Sequence, residues 1–321
     1  MDVETRHPRV PPVELLRKGE KPRGRVAFGA WVGFVVVALL LLDVLSDLTY
    51  AIVVATGALL LSFATSQWVV PREQLDRRDL VWAVAFYLGV VGLFRLAFGV
   101  FTADRTAPMF LSFAAGLLVG TVGPIVYTVW IRGRTLRSLG LGLHNLRTTL
   151  LLAVLFGAVQ LSITLLGYDL PAPVDWVPLL VMSLTVGVFE SVFFRGFLQG
   201  RLEASFGRAP AVLLASVLYG AYHVGYGMGA SEIVFLFGLG VVYAVAYALC
   251  GNLLVLWPLL TPLGSFFAQL ESGDLAGKLP WAAILGFVDV LGLMAAAVVL
   301  AYRHARHGRD VPDRGVSHAR S

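Results

Sequence analysis

EIVFLFGLGVVYAVAYALC, residues 232–250, carries one acid at its head and then runs to its end without a charge. A helix needs about twenty apolar residues to cross the hydrocarbon core of a bilayer, and this stretch supplies them. Working outward in both directions, blocks of the same kind recur at roughly 26–46, 49–70, 80–101, 109–131, 148–167, 176–197, 209–227, 253–270 and 281–302. They are continuous and rich in Leu, Val, Ala and Gly, not short and alternating as barrel strands would be. Only helices and closed barrels satisfy their backbone groups in lipid, so these runs read as helices. The whole chain agrees: 58% of its 321 residues are hydrophobic and 14% charged. Its mean hydropathy is +0.79. A soluble domain of that length would need far more polar surface. The expected fold is an all-α, polytopic transmembrane bundle of about ten spans.

The basic residues fix the expected orientation. Alternate loops carry Arg72, Arg77 and Arg78, then Arg132, Arg134 and Arg137, then Arg201 and Arg208. Arg303, Arg306 and Arg309 follow the last span, and Arg17, Lys18, Lys21, Arg23 and Arg25 precede the first. By the positive-inside rule both termini are cytoplasmic, with the bundle in the plasma membrane. The net charge of +5 is thus a topology signal and gives no reason to expect a nucleic-acid partner. The single cysteine, Cys250, excludes an intramolecular disulfide and a multi-cysteine metal site. The chain divides into a basic tail (1–25), N-terminal spans with an interfacial segment (26–147), a transmembrane core (148–302) and a second basic tail (303–321). No cleavable leader is read in the polar first tail. The semi-apolar stretch TLRSLGLGLHNLR, 135–147, is expected along the cytoplasmic interface, with His144 an interfacial side chain. Only Gly251 and Asn252 separate the eighth and ninth spans, which makes either a tight hairpin or a broken helix there.

Ionisable residues inside spans are costly and face a cavity or a partner. Arg95 and Asp289 read as structural groups. Glu190, Arg195 and His223 are more pointed. The segment GVFESVFFRGFLQGRLEASFG, 187–207, is expected as one amphipathic helix. On an α-helix Glu190 and Arg195 lie about 140° apart, so each should look for a partner elsewhere. Ser191 shares the Arg195 face, and Tyr219 shares the His223 face in the next span. Gly220, Gly225, Gly227 and Gly229 allow close helix approach or a break near His223. A glutamate and a histidine meeting at one depth suit acid/base chemistry. A Glu–His or Glu–Arg pair that merely fastens two helices has the same spacing.

ESVFFRG, then YGAYH about thirty residues on, then GNLLVLWP closing a Gly-rich span, resembles the CPBP family. These are the intramembrane CAAX-type prenyl proteases and their Abi-type, bacteriocin-processing relatives. The family pattern is Glu-Glu-x-x-x-Arg, Phe-x-x-x-His, and a late His-x-x-x-Asn or Asp after a Trp-Pro. By position Glu190 is similar to the glutamate that activates the attacking water, Arg195 to the arginine and His223 to the first histidine. Tyr219 replaces the phenylalanine and Ser191 the second glutamate. After Trp257 and Pro258 the expected late histidine falls near Leu263 and its Asn near Phe267, so that motif is missing.

The resemblance implies a CPBP-like core in the C-terminal half and an intramembrane endopeptidase acting on a membrane-associated or lipidated peptide. Glu190 would be general base, His223 a ligand or oxyanion stabiliser, and Arg195 an orienting group. In the family the glutamate works either with a metal or alone, so zinc is the one cofactor brought in, with Glu190 and His223 as its ligands here. A catalytic zinc site normally takes three protein ligands. Thr261, Ser265 and Gln269 form a polar stripe that lines the substrate or simply bonds across helices; none is a good zinc ligand. The alternative is a catalytically inactive relative that binds a lipid, a prenylated peptide or a membrane partner. A transporter is a third reading, without a visible inverted repeat to support it.

Overall fold

The computed structural model describes residues 22–42, 44–66, 76–101, 106–167, 185–256 and 258–259, with isolated positions between 288 and 303. All regular structure among them is helical. Helix α1 is Pro22–Leu40, α2 Asp47–Ala64 and α3 Arg77–Gly99. Helix α4 starts at Thr106–Phe113 and continues through π-helical Ala114–Val122, α-helical Gly123–Val126 and π-helical Tyr127–Ile131. A 3₁₀ turn, Leu136–Leu139, leads to α5, Leu146–Gly167. Helix α6 covers 185–206, α7 is Arg208–Tyr222, and α8 is Ala230–Cys250.

Five of these segments are long and apolar enough to cross a membrane: Asp47–Ala64, Arg77–Gly99, Phe110–Ile131, Leu146–Ile163 and Ala230–Cys250. Gly24–Leu40 is a shorter apolar helix. The protein is therefore a multi-pass, all-helical membrane protein, but the expected count of about ten is not reached among the described residues. The block read at 209–227 is a helix of 15 residues that stops at Tyr222. The spans read at 253–270 and 281–302 lie almost wholly outside the described residues, as does 176–184. Large apolar side chains stand on the outer surface, among them Ile52, Leu60, Phe63, Leu88, Leu151 and Val154. Such an outside is stable in lipid and would aggregate in water.

The most buried helix is α8, which packs chiefly against α7 and α2. Two glycines explain how closely its neighbours approach. A Cβ on Gly220 would sit 2.9 Å from the Ile233 carbonyl, and one on Gly238 would sit 3.0 Å from Ala51 Cα. The break anticipated around His223 is present. There the chain narrows to a 3₁₀ turn, His223–Tyr226, and Gly227 adopts a left-handed φ of 80°. Gly225 lets this turn rest on α3, where a Cβ would come within 3.1 Å of the Val91 carbonyl.

The described residues also show where α8 stops. The helix ends on Gly251 at φ 64°, and a 3₁₀ turn, Leu253–Leu256, follows. The stretch 135–147, expected along the interface, is bonded to the bundle at this joint. Leu139 is wholly buried. Buried Asn252 donates through Nδ2 to the carbonyls of Gly142 and His144, both at 2.9 Å. His144 Nε2 donates to the Gly251 carbonyl at 2.9 Å, and Asn145 Nδ2 to that of Cys250 at 3.2 Å. Buried carbonyls freed at a helix end need such donors, and a polar loop supplies them.

Candidate active site

Glu190 sits where α6 changes winding. Residues 185–190 are α-helical, Ser191–Gln199 form a π-helix, and Gly200–Phe206 return to α. A π-helix bonds i to i+5, so residues five apart come onto one face. This corrects the 140° separation expected for Glu190 and Arg195. Both side chains now turn toward Tyr219. The wider winding also brings Gly196 hard against the 3₁₀ turn before α5, where a Cβ would lie 2.4 Å from the Leu139 carbonyl oxygen. Backbone cannot retreat as a flexible side chain can. Gly196→Ala is expected to cost about 3 kcal/mol, the upper part of the range for overpacking. A matching fall in the unfolding midpoint in detergent micelles checks it.

Glu190 is 5% exposed, and each of its oxygens is taken. Tyr219 Oη donates to Oε2 at 3.0 Å, and Tyr222 Oη donates to Oε1. His223 Nδ1 lies 2.9 Å from the Tyr219 carbonyl. A carbonyl can only accept, so Nδ1 carries the proton, and in the neutral ring Nε2 is the basic nitrogen. The imidazole centroid is 4.0 Å from that of Tyr222 and 5.3 Å from that of Tyr219. The Arg195 guanidinium lies over the Tyr219 ring, 5.0 Å from its centroid. Arg195 is 1% exposed, and its Nη1 and Nη2 have no hydrogen-bond partner among the described residues. Phe94, Phe189, Phe194 and Tyr226 complete an aromatic wall around Tyr222. The structure thus brings Glu190, Arg195, Tyr219 and His223 into one buried cluster. Ser191 is buried at the first π-helical position.

Tyr222 was not among the residues singled out in the sequence, yet it holds one oxygen of the carboxylate. Its signal was there: Tyr219 and Tyr222 are three apart, hence neighbours on one helical face. Arg95 is exposed and takes no part. Thr261, Ser265, Gln269 and Asp289 lie outside the described residues.

The donor set does not complete a three-ligand zinc site. Glu190 and His223 would supply two ligands, and no group of three or more His, Cys, Asp or Glu comes together among the described residues.

At the basic end of the bundle a second cluster surrounds Asp79, also buried. Arg132 Nε is 3.1 Å from it, Arg134 Nη1 3.4 Å and Arg201 Nε 3.6 Å. Tyr127 Oη donates to it at 2.5 Å. Asp76 caps α3 by accepting from the Arg78 backbone N–H at 2.9 Å and pairs with Arg132. Slight burial works against the charge of Asp76, but those two partners hold its carboxyl below the usual range.

Residues 171–259 match the family model described as Rce1-like: type II CAAX prenyl endopeptidase Rce1-like. The matched stretch contains Glu190, Arg195, Tyr219, Tyr222 and His223, so the resemblance read from the motifs is supported by an independent comparison. No curated protein and no solved structure gives a significant match.

Proposed function

From the Rce1-like match over 171–259, we propose that this membrane protein is an intramembrane endopeptidase that cleaves a membrane-associated or lipidated peptide with water activated by Glu190. The observation that carries the reading is the carboxylate held at both oxygens by Tyr219 and Tyr222, in one cluster with an imidazole of fixed tautomer and a guanidinium whose Nη1 and Nη2 have no hydrogen-bond partner among the described residues. A general base must be positioned before it can be effective, and two hydroxyl donors restrict the carboxylate to one orientation. Glu190 takes a proton from water as the water oxygen bonds to the scissile carbonyl carbon. The carbon–nitrogen bond then breaks, and the leaving amine receives the proton Glu190 holds. Basic Nε2 of His223 accepts from the water's other hydrogen. Arg195, whose Nη1 and Nη2 have no hydrogen-bond partner among the described residues, stabilises the negative charge that develops on the carbonyl oxygen. Ser191, Thr261 and Ser265 would line the substrate path. The positive-inside bias of the basic loops supports cytoplasmic termini, and on this reading the protein belongs to the plasma membrane.

Comparison of peptide termini between deletion cells and cells complemented with wild type or Glu190→Ala at matched levels tests this reading. A new terminus present only with wild type is expected. If both complemented strains correct the deletion phenotype with identical termini, a binding role replaces the enzyme. Metal removal gives a second check. Because the described donors stop at two, prolonged dialysis against a strong chelator is expected to leave turnover within about twofold of the untreated enzyme. A loss reversed by added zinc would show that a third ligand completes the site.

A further inference from the structure

A cavity of about 490 Å³ lies apart from Glu190, between α3 and the helices α6 and α7. Its polar end holds Arg134, Arg137 and Arg201. Its apolar wall includes Leu80, Val84 and Leu88 of α3. We propose that this groove binds an anionic phospholipid, its phosphate on the arginine end and an acyl chain along α3. The site shares no residue with the proposed active site.

Charge argues for the headgroup. Arg132 adjoins the cavity without lining it and pairs with Asp76 and Asp79, so among the described residues Arg132, Arg134 and Arg201 meet two carboxylates and leave one cation in excess. Arg137 adds another, being exposed and making no ion pair among the described residues. Glu203 also lines the groove, but Arg208 stands close enough to offset it. Asp79 holds Arg134 and Arg201 in place before any ligand arrives, so a phosphate would meet forks already ordered. Basic pockets between spans at the charged edge of a membrane protein suit lipid phosphates.

Geometry argues for the tail. Leu80, Val84 and Leu88 recur every four residues and form one stripe, running about 12 Å away from the charged end at the rise of an α-helix. Their exposures increase along it, 43%, 48% and 62%. A free phosphate would use none of this wall.

Native mass spectrometry of the purified full chain, titrated with phosphatidylglycerol or phosphatidylcholine, tests the proposal. Wild type is expected to retain phosphatidylglycerol preferentially. Arg137→Ala, at an exposed and unpaired position, should weaken that retention about fivefold, the effect of one arginine near a lipid surface. Val84→Trp should weaken it by obstructing the tail, with the headgroup end intact. Equal retention of the two lipids, or indifference to Arg137→Ala, overturns the proposal. So does inorganic phosphate competing as well as the lipid, which would mark a small-anion site. A lipidated peptide whose binding alone responds to these substitutions would also overturn it. All arms read binding, so their outcome stands apart from any loss of proteolysis.

Discussion

Glu190→Gln is expected to lower turnover by about 10² to 10⁴-fold, the usual contribution of a positioned acid or base. The substitution keeps the shape of the side chain and one carbonyl acceptor for a tyrosine hydroxyl. Its amide nitrogen cannot accept, so one of the bonds from Tyr219 and Tyr222 is lost or reversed. That loss is worth about 1 kcal/mol, small enough to leave the fold intact. Glu190→Asp retains the charge but draws the carboxylate one methylene away from both hydroxyls, and turnover should fall with it. Tyr222→Phe removes one donor without touching the base, and its smaller loss should separate positioning from proton transfer. The measurement is cleavage, in lipid nanodiscs, of the substrate found by the comparison of termini, with unfolding midpoints alongside. Turnover surviving in Glu190→Gln would remove the general base and the proposed mechanism with it.

How far the sequence could carry this site depends on the winding of one helix. The apolar blocks mark α2, α3, α4, α5 and α8 because length and composition alone decide whether a segment can cross a bilayer. Likewise the glycines after Tyr219 announce the turn at His223, since a left-handed φ at Gly227 and the close approach at Gly225 are open to few other residues. Glu190 and Arg195 could not be placed together by the same means. At α-helical pitch they lie on different faces, and the π-helix Ser191–Gln199 is a local choice that no periodicity in SVFFRGFLQ reveals. Gly196 is what permits it to lie against Leu139, yet in the sequence it is only one glycine among many. The arginines at the basic end were legible as orientation signals but not as partners of Asp79. That acid and its arginines come from α3, the loop after α4, and α6, which only the folded bundle joins. For the same reason the donors His144 and Asn145 could not be matched to the carbonyls at 250–251.

Arg195 decides between a residue kept for the fold and one kept for chemistry. A guanidinium at 1% exposure, with two nitrogens that have no hydrogen-bond partner among the described residues, is an expensive thing to hold inside an apolar bundle. An arginine at the centre of a span costs about 3 kcal/mol on insertion scales. Its contact with the Tyr219 face returns up to about 2 kcal/mol when desolvated, which does not cover that cost. Glu190 keeps its two tyrosine donors whether or not Arg195 is charged. Arg195→Met, similar in length and unbranched, is therefore expected to leave stability unchanged or to raise it by about 1 kcal/mol. Turnover should fall at least about 10²-fold, as when an oxyanion donor is removed. Unfolding in micelles and cleavage in nanodiscs, measured on the same preparation, read the two quantities separately. A structural arginine would behave in the opposite way, since breaking a buried pair costs about 3 to 5 kcal/mol. Loss of stability with turnover retained by the surviving fraction would assign Arg195 to the fold. A stable, inactive protein means that the free Nη groups are held for charge arriving with the substrate.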